Sequence, residues 1–136
     1  MRKLATAYVS TGLVFLALDA TYLTLMTDRF YRPQLGPLLQ DGFDLPAAIA
    51  FYFIYVGGLV MFGVRAGLEA GRASRAMLHG AAFGFAAYAT YDLTNQATLK
   101  DWPLAVTLVD MTWGTIVGAL ACGAGCALTL RGSRTA

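Results

Sequence analysis

Four long apolar stretches make up most of this chain, and each is long enough to cross a lipid bilayer as a helix. They cover residues 4–26, 46–64, 76–98 and 103–130. A helix needs roughly 20 residues to cross the hydrocarbon core. Only 13% of the 136 residues are charged, against about 25% in soluble domains. The sequence therefore predicts an all-α, multi-pass membrane protein in which residues 1–136 form one four-helix bundle.

The basic residues are divided unequally between the two ends of these stretches. Seven of the 10 lie at the chain termini or in the second connection, and three lie on the other side. The seven are Arg2, Lys3, Arg65, Arg72, Arg75, Arg131 and Arg134; the three are Arg29, Arg32 and Lys100. Lys and Arg concentrate on the cytoplasmic side of membrane proteins. We therefore predict that both termini are cytoplasmic, with the long first connection at the outer interface.

Three aspartates are predicted to lie at one depth. Asp19 precedes Met26 by seven residues, and Asp92 precedes Leu99 by the same number. Asp110 comes seven residues after the start of the fourth stretch. At 1.5 Å per residue, all three lie about 10 Å below the outer boundary. Tyr22 shares the face of Asp19 on the first helix, and Tyr52 and Tyr55 bring the second helix to about the same level.

Two stripes of small residues predict how the third and fourth helices pack. The first stripe is Gly80, Gly84, Tyr88, Asp92 and Gln96, and the second is Asp110, Gly114, Gly118, Cys122 and Cys126. A connection of a few residues makes the two helices antiparallel neighbours. Aligning the aspartates puts Tyr88 opposite Gly114, Gly84 opposite Gly118 and Gly80 opposite Cys122, which allows the close approach seen between membrane helices. The cysteines are expected to be small packing residues rather than a metal or redox pair.

The polar cluster is the candidate functional site. A charged aspartate in the middle of a membrane helix costs about 2.5–3.5 kcal/mol, so the cluster is predicted to bind a small ligand, a cation or protons. Its predicted ligand-binding residues are Asp19, Asp92, Asp110, Tyr88, Tyr91, Asn95, Gln96 and Trp113. Asp92 and Asp110 are expected to share a cavity, and Asp19 is assigned to it on depth alone. The alternative is that hydrogen-bonded aspartates only hold the helices together.

Several segments resemble a bacterial family of predicted membrane proteins, the domain of unknown function 2177. The resemblance rests on DATYLTLM, FYRPQLG, YATYDLTNQATLKDWP and DMTWG, and extends over nearly the whole chain. It implies a small four-helix protein of the bacterial inner membrane. The family brings no established activity, metal or cofactor.

Three kinds of function fit these observations. The first is transport or sensing of a ligand, and transport by a 14.5 kDa chain would need a homo-oligomer. The second is an accessory subunit of a larger membrane complex, with Gly57 and Gly58, or another face of small residues, pointing outward to a partner. The third is a lipid-modifying membrane enzyme that uses an aspartate as acid or base. The net charge of +2 does not suggest binding to nucleic acid.

Overall fold

The computed structural model describes residues 2–133 and consists of four helices joined by short connections. They are α1 (Arg2–Leu38), α2 (Leu45–Ala70), α3 (Ala73–Thr98) and α4 (Leu104–Gly132). This confirms the predicted all-α, four-helix architecture. Arg134, one of the seven basic residues counted above, lies outside the described residues.

Three of the helices, α1, α2 and α4, are long and apolar enough to cross a membrane. With 26 residues, α3 is also long enough, but it carries more polar side chains. Its crossing of the membrane therefore stays a prediction.

Two helices continue beyond the ends that the apolar stretches predicted. A π-helical turn at Thr27–Tyr31 extends α1 into the first connection, which leaves residues 39–44 as the only non-helical part of that connection. A second π-helical turn, Leu59–Val64, carries α2 on to Ala70. Gly67 lies between the second and third apolar stretches, where the sequence predicts a connection, but it is buried in this helical extension. Hydropathy identifies where the bilayer ends, and a helix can continue into the interface.

The predicted seam between α3 and α4 is confirmed. A Cβ atom added to Gly84 would overlap the carbonyl group of Gly114, and one added to Gly80 would overlap the carbonyl oxygen of Gly118. The ring of Tyr88 lies directly against Gly114. The two backbones therefore approach as closely as small residues allow.

The cysteines and two further glycines hold the other end of the bundle together. Cys122 and Cys126 are free thiols buried in the core. An added Cβ at Gly63 would overlap Cys122, and one at Gly67 would lie 2.8 Å from the sulfur of Cys126. These contacts join α2 to α4 and agree with the predicted packing role of the cysteines.

Gly58 does not present a vacant face to a partner. The Phe83 ring of the same chain occupies the space over Gly58, where an added Cβ would overlap it. At Gly57, an added Cβ would lie 4.0 Å from the ring of Tyr8. The small-residue face that the sequence assigned to contact with a partner is therefore occupied, at Gly58, by a side chain of the same chain.

Candidate functional site

A cavity of about 470 Å³ lies at the end of the bundle where the first connection crosses over it. Asp19 of α1 and Asp110 of α4 both line it, together with the 35–44 segment of the connection. The two aspartates are only 5% and 8% exposed. The cavity thus brings together two of the three aspartates that the sequence placed at one depth.

Both carboxylate oxygens of Asp19 accept hydrogen bonds from aromatic side chains. The hydroxyl of Tyr52 on α2 donates to Oδ2 at 2.7 Å, and the indole N–H of Trp113 on α4 donates to Oδ1 at 3.2 Å. Asp19 therefore connects three helices and is held in one orientation.

Asp110 is held by a residue of the first connection. The hydroxyl of Tyr31 donates to its Oδ1. The hydroxyl of Tyr22 lies 3.1 Å from that of Tyr31, and its ring stacks on Trp113 with 4.0 Å between ring centroids. Because Trp113 also binds Asp19, a continuous series of aromatic contacts links the two carboxylates.

No basic side chain pairs with either carboxylate within residues 2–133. The salt bridges described there are Arg32 with Asp28 and Arg65 with Glu69, both within one helix and both largely exposed. Arg32 lines the cavity, but its Nε lies 3.0 Å from Asp28. Every side-chain donor to Asp19 and Asp110 described above is a neutral hydroxyl or indole N–H.

Some predicted site residues line the cavity and others do not. Tyr88, Tyr91 and Trp113 line it. Asp92 is not among the residues that line this cavity. It lies one turn after Tyr88 on the face of α3 that contacts α4, and its carboxylate interacts electrostatically with that of Asp110. That Asp92 and Asp110 share one site stays a prediction. Asp92 is fully buried, and neither carboxylate oxygen has a hydrogen-bond partner within the part of the chain described.

The remaining two predicted residues, Asn95 and Gln96, lie at the end of α3, next to the hairpin that leads to α4. Gln96 accepts a hydrogen bond from Thr107 at 2.8 Å, and the indole of Trp102 donates to the same threonine at 3.1 Å. Asn95 is half-buried and is not among the residues that line the cavity.

The sequence did not identify Tyr31 as a site residue. It was placed in an interfacial segment, whereas the structure buries it to 9% exposure. Tyr22 was assigned to the face of Asp19 and Tyr52 to the level of the aspartates, but their contacts with Tyr31 and Asp19 could not be read from periodicity.

Comparison with known proteins agrees with this architecture. Residues 4–127 match the family described as "Predicted membrane protein (DUF2177)", and a match over that share of the chain makes it a member of the family. No curated protein and no solved structure matches the chain.

Proposed function

We propose that this chain, which belongs to a family of predicted membrane proteins, binds a small organic cation between Asp19 and Asp110. One observation carries the proposal: two buried carboxylates face one cavity, and the side chains that bind them are neutral. Such a site would serve a transporter or a sensor in the membrane.

The charge of the site favours a cationic ligand. Hydrogen bonds from phenol and indole groups orient a carboxylate without neutralising it, and buried charges in proteins are usually paired. An ammonium group placed between Asp19 and Asp110 would supply the missing positive charge. The aromatic rings of Tyr22, Tyr88 and Trp113 around the cavity add a surface that attracts cations.

The size of the cavity favours an organic cation over a proton or a bare metal ion. Its volume of about 470 Å³ is far larger than the roughly 30 Å³ that a water molecule occupies. It falls within the range of about 300–1,000 Å³ typical of small-molecule sites. In addition, residues 2–133 do not bring three His, Cys, Asp or Glu side chains together in a group that could hold a metal ion.

The test compares choline with 3,3-dimethylbutan-1-ol, its neutral isostere, on the purified protein in lipid nanodiscs. We expect the melting temperature to rise with choline concentration. At a choline concentration of 100 times Kd, the free energy of unfolding should increase by about 2.7 kcal/mol. The neutral isostere should have little effect. Equal effects of the two compounds, or none from choline, would refute the cation site.

A pair of variants locates the effect. Asp110→Asn should abolish the stabilisation by choline. Asp101→Asn is the matched control, because Asp101 is exposed in the α3–α4 hairpin. Its backbone φ of 57° is one that Asn also adopts readily.

We also propose that the protein lies in the bacterial inner membrane, with both termini cytoplasmic and residues 1–136 in one domain. The unequal distribution of basic residues supports this orientation. The cavity would then face the outer side of the membrane.

A further inference from the structure

The geometry points to a ligand with a hydrocarbon tail, held in a groove between α2 and α3. This inference rests on the cation site proposed above and names the class of its ligand: a single-chain membrane amphiphile with a cationic head. We call the apolar surface the tail groove and define it by Phe51, Ile54, Tyr55, Phe62, Phe83 and Ala87.

The tail groove is continuous with the carboxylate cavity. A second cavity of about 410 Å³ is lined by Asp110, Tyr88 and Tyr91 on its polar side and by Phe51, Tyr55 and Ala87 on its apolar side. A third, of about 560 Å³, shares Phe51 and Tyr55 with the second. It continues along Ile54, Met61, Phe62 and Phe83. The carboxylate cavity therefore opens sideways toward the lipid.

This side opening exists because α2 separates from α3 at the cavity end. The Leu59–Val64 turn and the Arg65–Ala70 end of α2 pack closely on α3, whereas the Leu45–Gly58 half makes few close backbone contacts with it. Aromatic rings border the space between the two helices. The ring centroid of Tyr55 lies 5.6 Å from that of Phe83 and 6.3 Å from that of Tyr88.

The side chain of Tyr55 joins the cavity and the groove. Tyr55 lines both the second and the third cavity and is only 5% exposed. Its hydroxyl is buried and makes no hydrogen bond with any other residue that the structure describes. The ring of Tyr55, and not its hydroxyl, therefore forms the wall along which a tail would leave the carboxylate cavity.

The length of the groove corresponds to one leaflet of the bilayer. From Phe51 to Phe62 the α2 backbone rises about 16 Å, at 1.5 Å per residue. Half of the hydrocarbon core measures about 15 Å. A chain anchored by its head at Asp110, about 10 Å below the outer boundary, would thus lie along α2 and run past the middle of the bilayer. The two carboxylates select a cationic head over the anionic phosphate of a common phospholipid.

The test uses a choline ester of a long-chain fatty acid that carries a photoreactive diazirine in its tail. The full chain in nanodiscs is irradiated with this probe, and the crosslinked residues are mapped by mass spectrometry. We expect crosslinks concentrated on the tail groove and reduced at least fivefold by excess choline. The control probe, the same acid esterified with 3,3-dimethylbutan-1-ol, should label lipid-facing residues such as Phe85 and Ile116 as strongly as the groove.

A pair of variants sharpens the result. Ala87→Phe fills the groove and should reduce its crosslinking, whereas Ala86→Phe, on the exposed face next to it, should not. Crosslinks spread evenly over the lipid-facing helices, with stabilisation by choline intact, would overturn the tail groove and leave the cation site standing. If choline gives no stabilisation, the cation site fails, and the tail groove fails with it.

Discussion

The hydroxyl of Tyr31 donates a hydrogen bond to the carboxylate of Asp110, across 79 residues of sequence. This bond attaches the first connection to α4 and brings the connection over the cavity. The same tyrosine contacts Tyr22 through its hydroxyl and its ring. One side chain thus both holds a site carboxylate and anchors the segment that covers the site.

Removal of this hydroxyl should loosen the covering segment. A hydrogen bond to a charged group contributes about 1.5–3 kcal/mol, so in Tyr31→Phe the amides of residues 32–44 should exchange with deuterium roughly 10- to 100-fold faster. Tyr8→Phe is the matched control, since the Tyr8 hydroxyl donates to the carbonyl oxygen of Phe53. If exchange in residues 32–44 rises equally in both variants, Tyr31 does not anchor the segment.

The buried aspartates should respond differently to substitution by asparagine. Asp19 accepts hydrogen bonds at both oxygens, and an asparagine amide nitrogen cannot accept one of them. Asp19→Asn should therefore lower the free energy of unfolding by about 1–3 kcal/mol. Asp92→Asn loses no described hydrogen bond and removes a costly buried ionisable group, so its stability should be equal to or above that of the wild type. Thermal unfolding in one detergent compares the variants, and a larger loss for Asp92→Asn would contradict the assignment.

The seam between α3 and α4 predicts a contrast between Gly84 in α3 and Gly12 in α1. In Gly84→Ala the new methyl group would overlap the Gly114 carbonyl, so the helices must separate, at a cost of about 1–3 kcal/mol. In Gly12→Ala the methyl group would meet Val56 at 3.5 Å, an ordinary contact. That variant should gain up to about 1 kcal/mol from helix propensity. Melting temperatures that shift in the same direction would argue against the seam.

The predicted orientation can be tested with alkaline phosphatase fusions, because this enzyme needs disulfides that form only after export. A fusion at the C-terminus should be inactive, since seven of the ten basic residues lie on that side. A fusion after Gly42, in the first connection, should be active. The reverse pattern would place both termini outside.

Much of the fold could be predicted because a helix repeats its faces at a fixed spacing. Residues four apart share a face, and the short connection makes α3 and α4 antiparallel neighbours; together these placed Gly80 and Gly84 against α4. The constant rise per residue likewise put Asp19 and Asp110 at the same depth. Regular helix geometry and one short connection were enough for both predictions.

The site was harder to predict from the sequence, because it depends on how the helices are arranged relative to one another and on segments that are not regular α-helix. Whether Asp110 shares its cavity with Asp19 or with Asp92 depends on how the helices are rotated about their axes, which depth does not determine. The direction of Tyr31 is set by a π-helical turn, where the spacing of faces changes. Hydropathy carries no signal for such a turn.

The π-helical turn in α2 separates this helix into two parts whose faces are offset. Residues from Gly63 onward fit the cysteines of α4, whereas Tyr52 and Tyr55 serve the cavity. A turn with one extra residue shifts the faces of the residues that follow by about 100°. Deletion of one residue within Leu59–Val64 would therefore rotate the two tyrosines away from the cavity, while the half of α2 that packs on α4 stayed in register. The two halves of α2 therefore present their faces independently. A change of helical register in the Leu59–Val64 turn would redirect the half that lines the cavity and leave the half that packs the bundle in place.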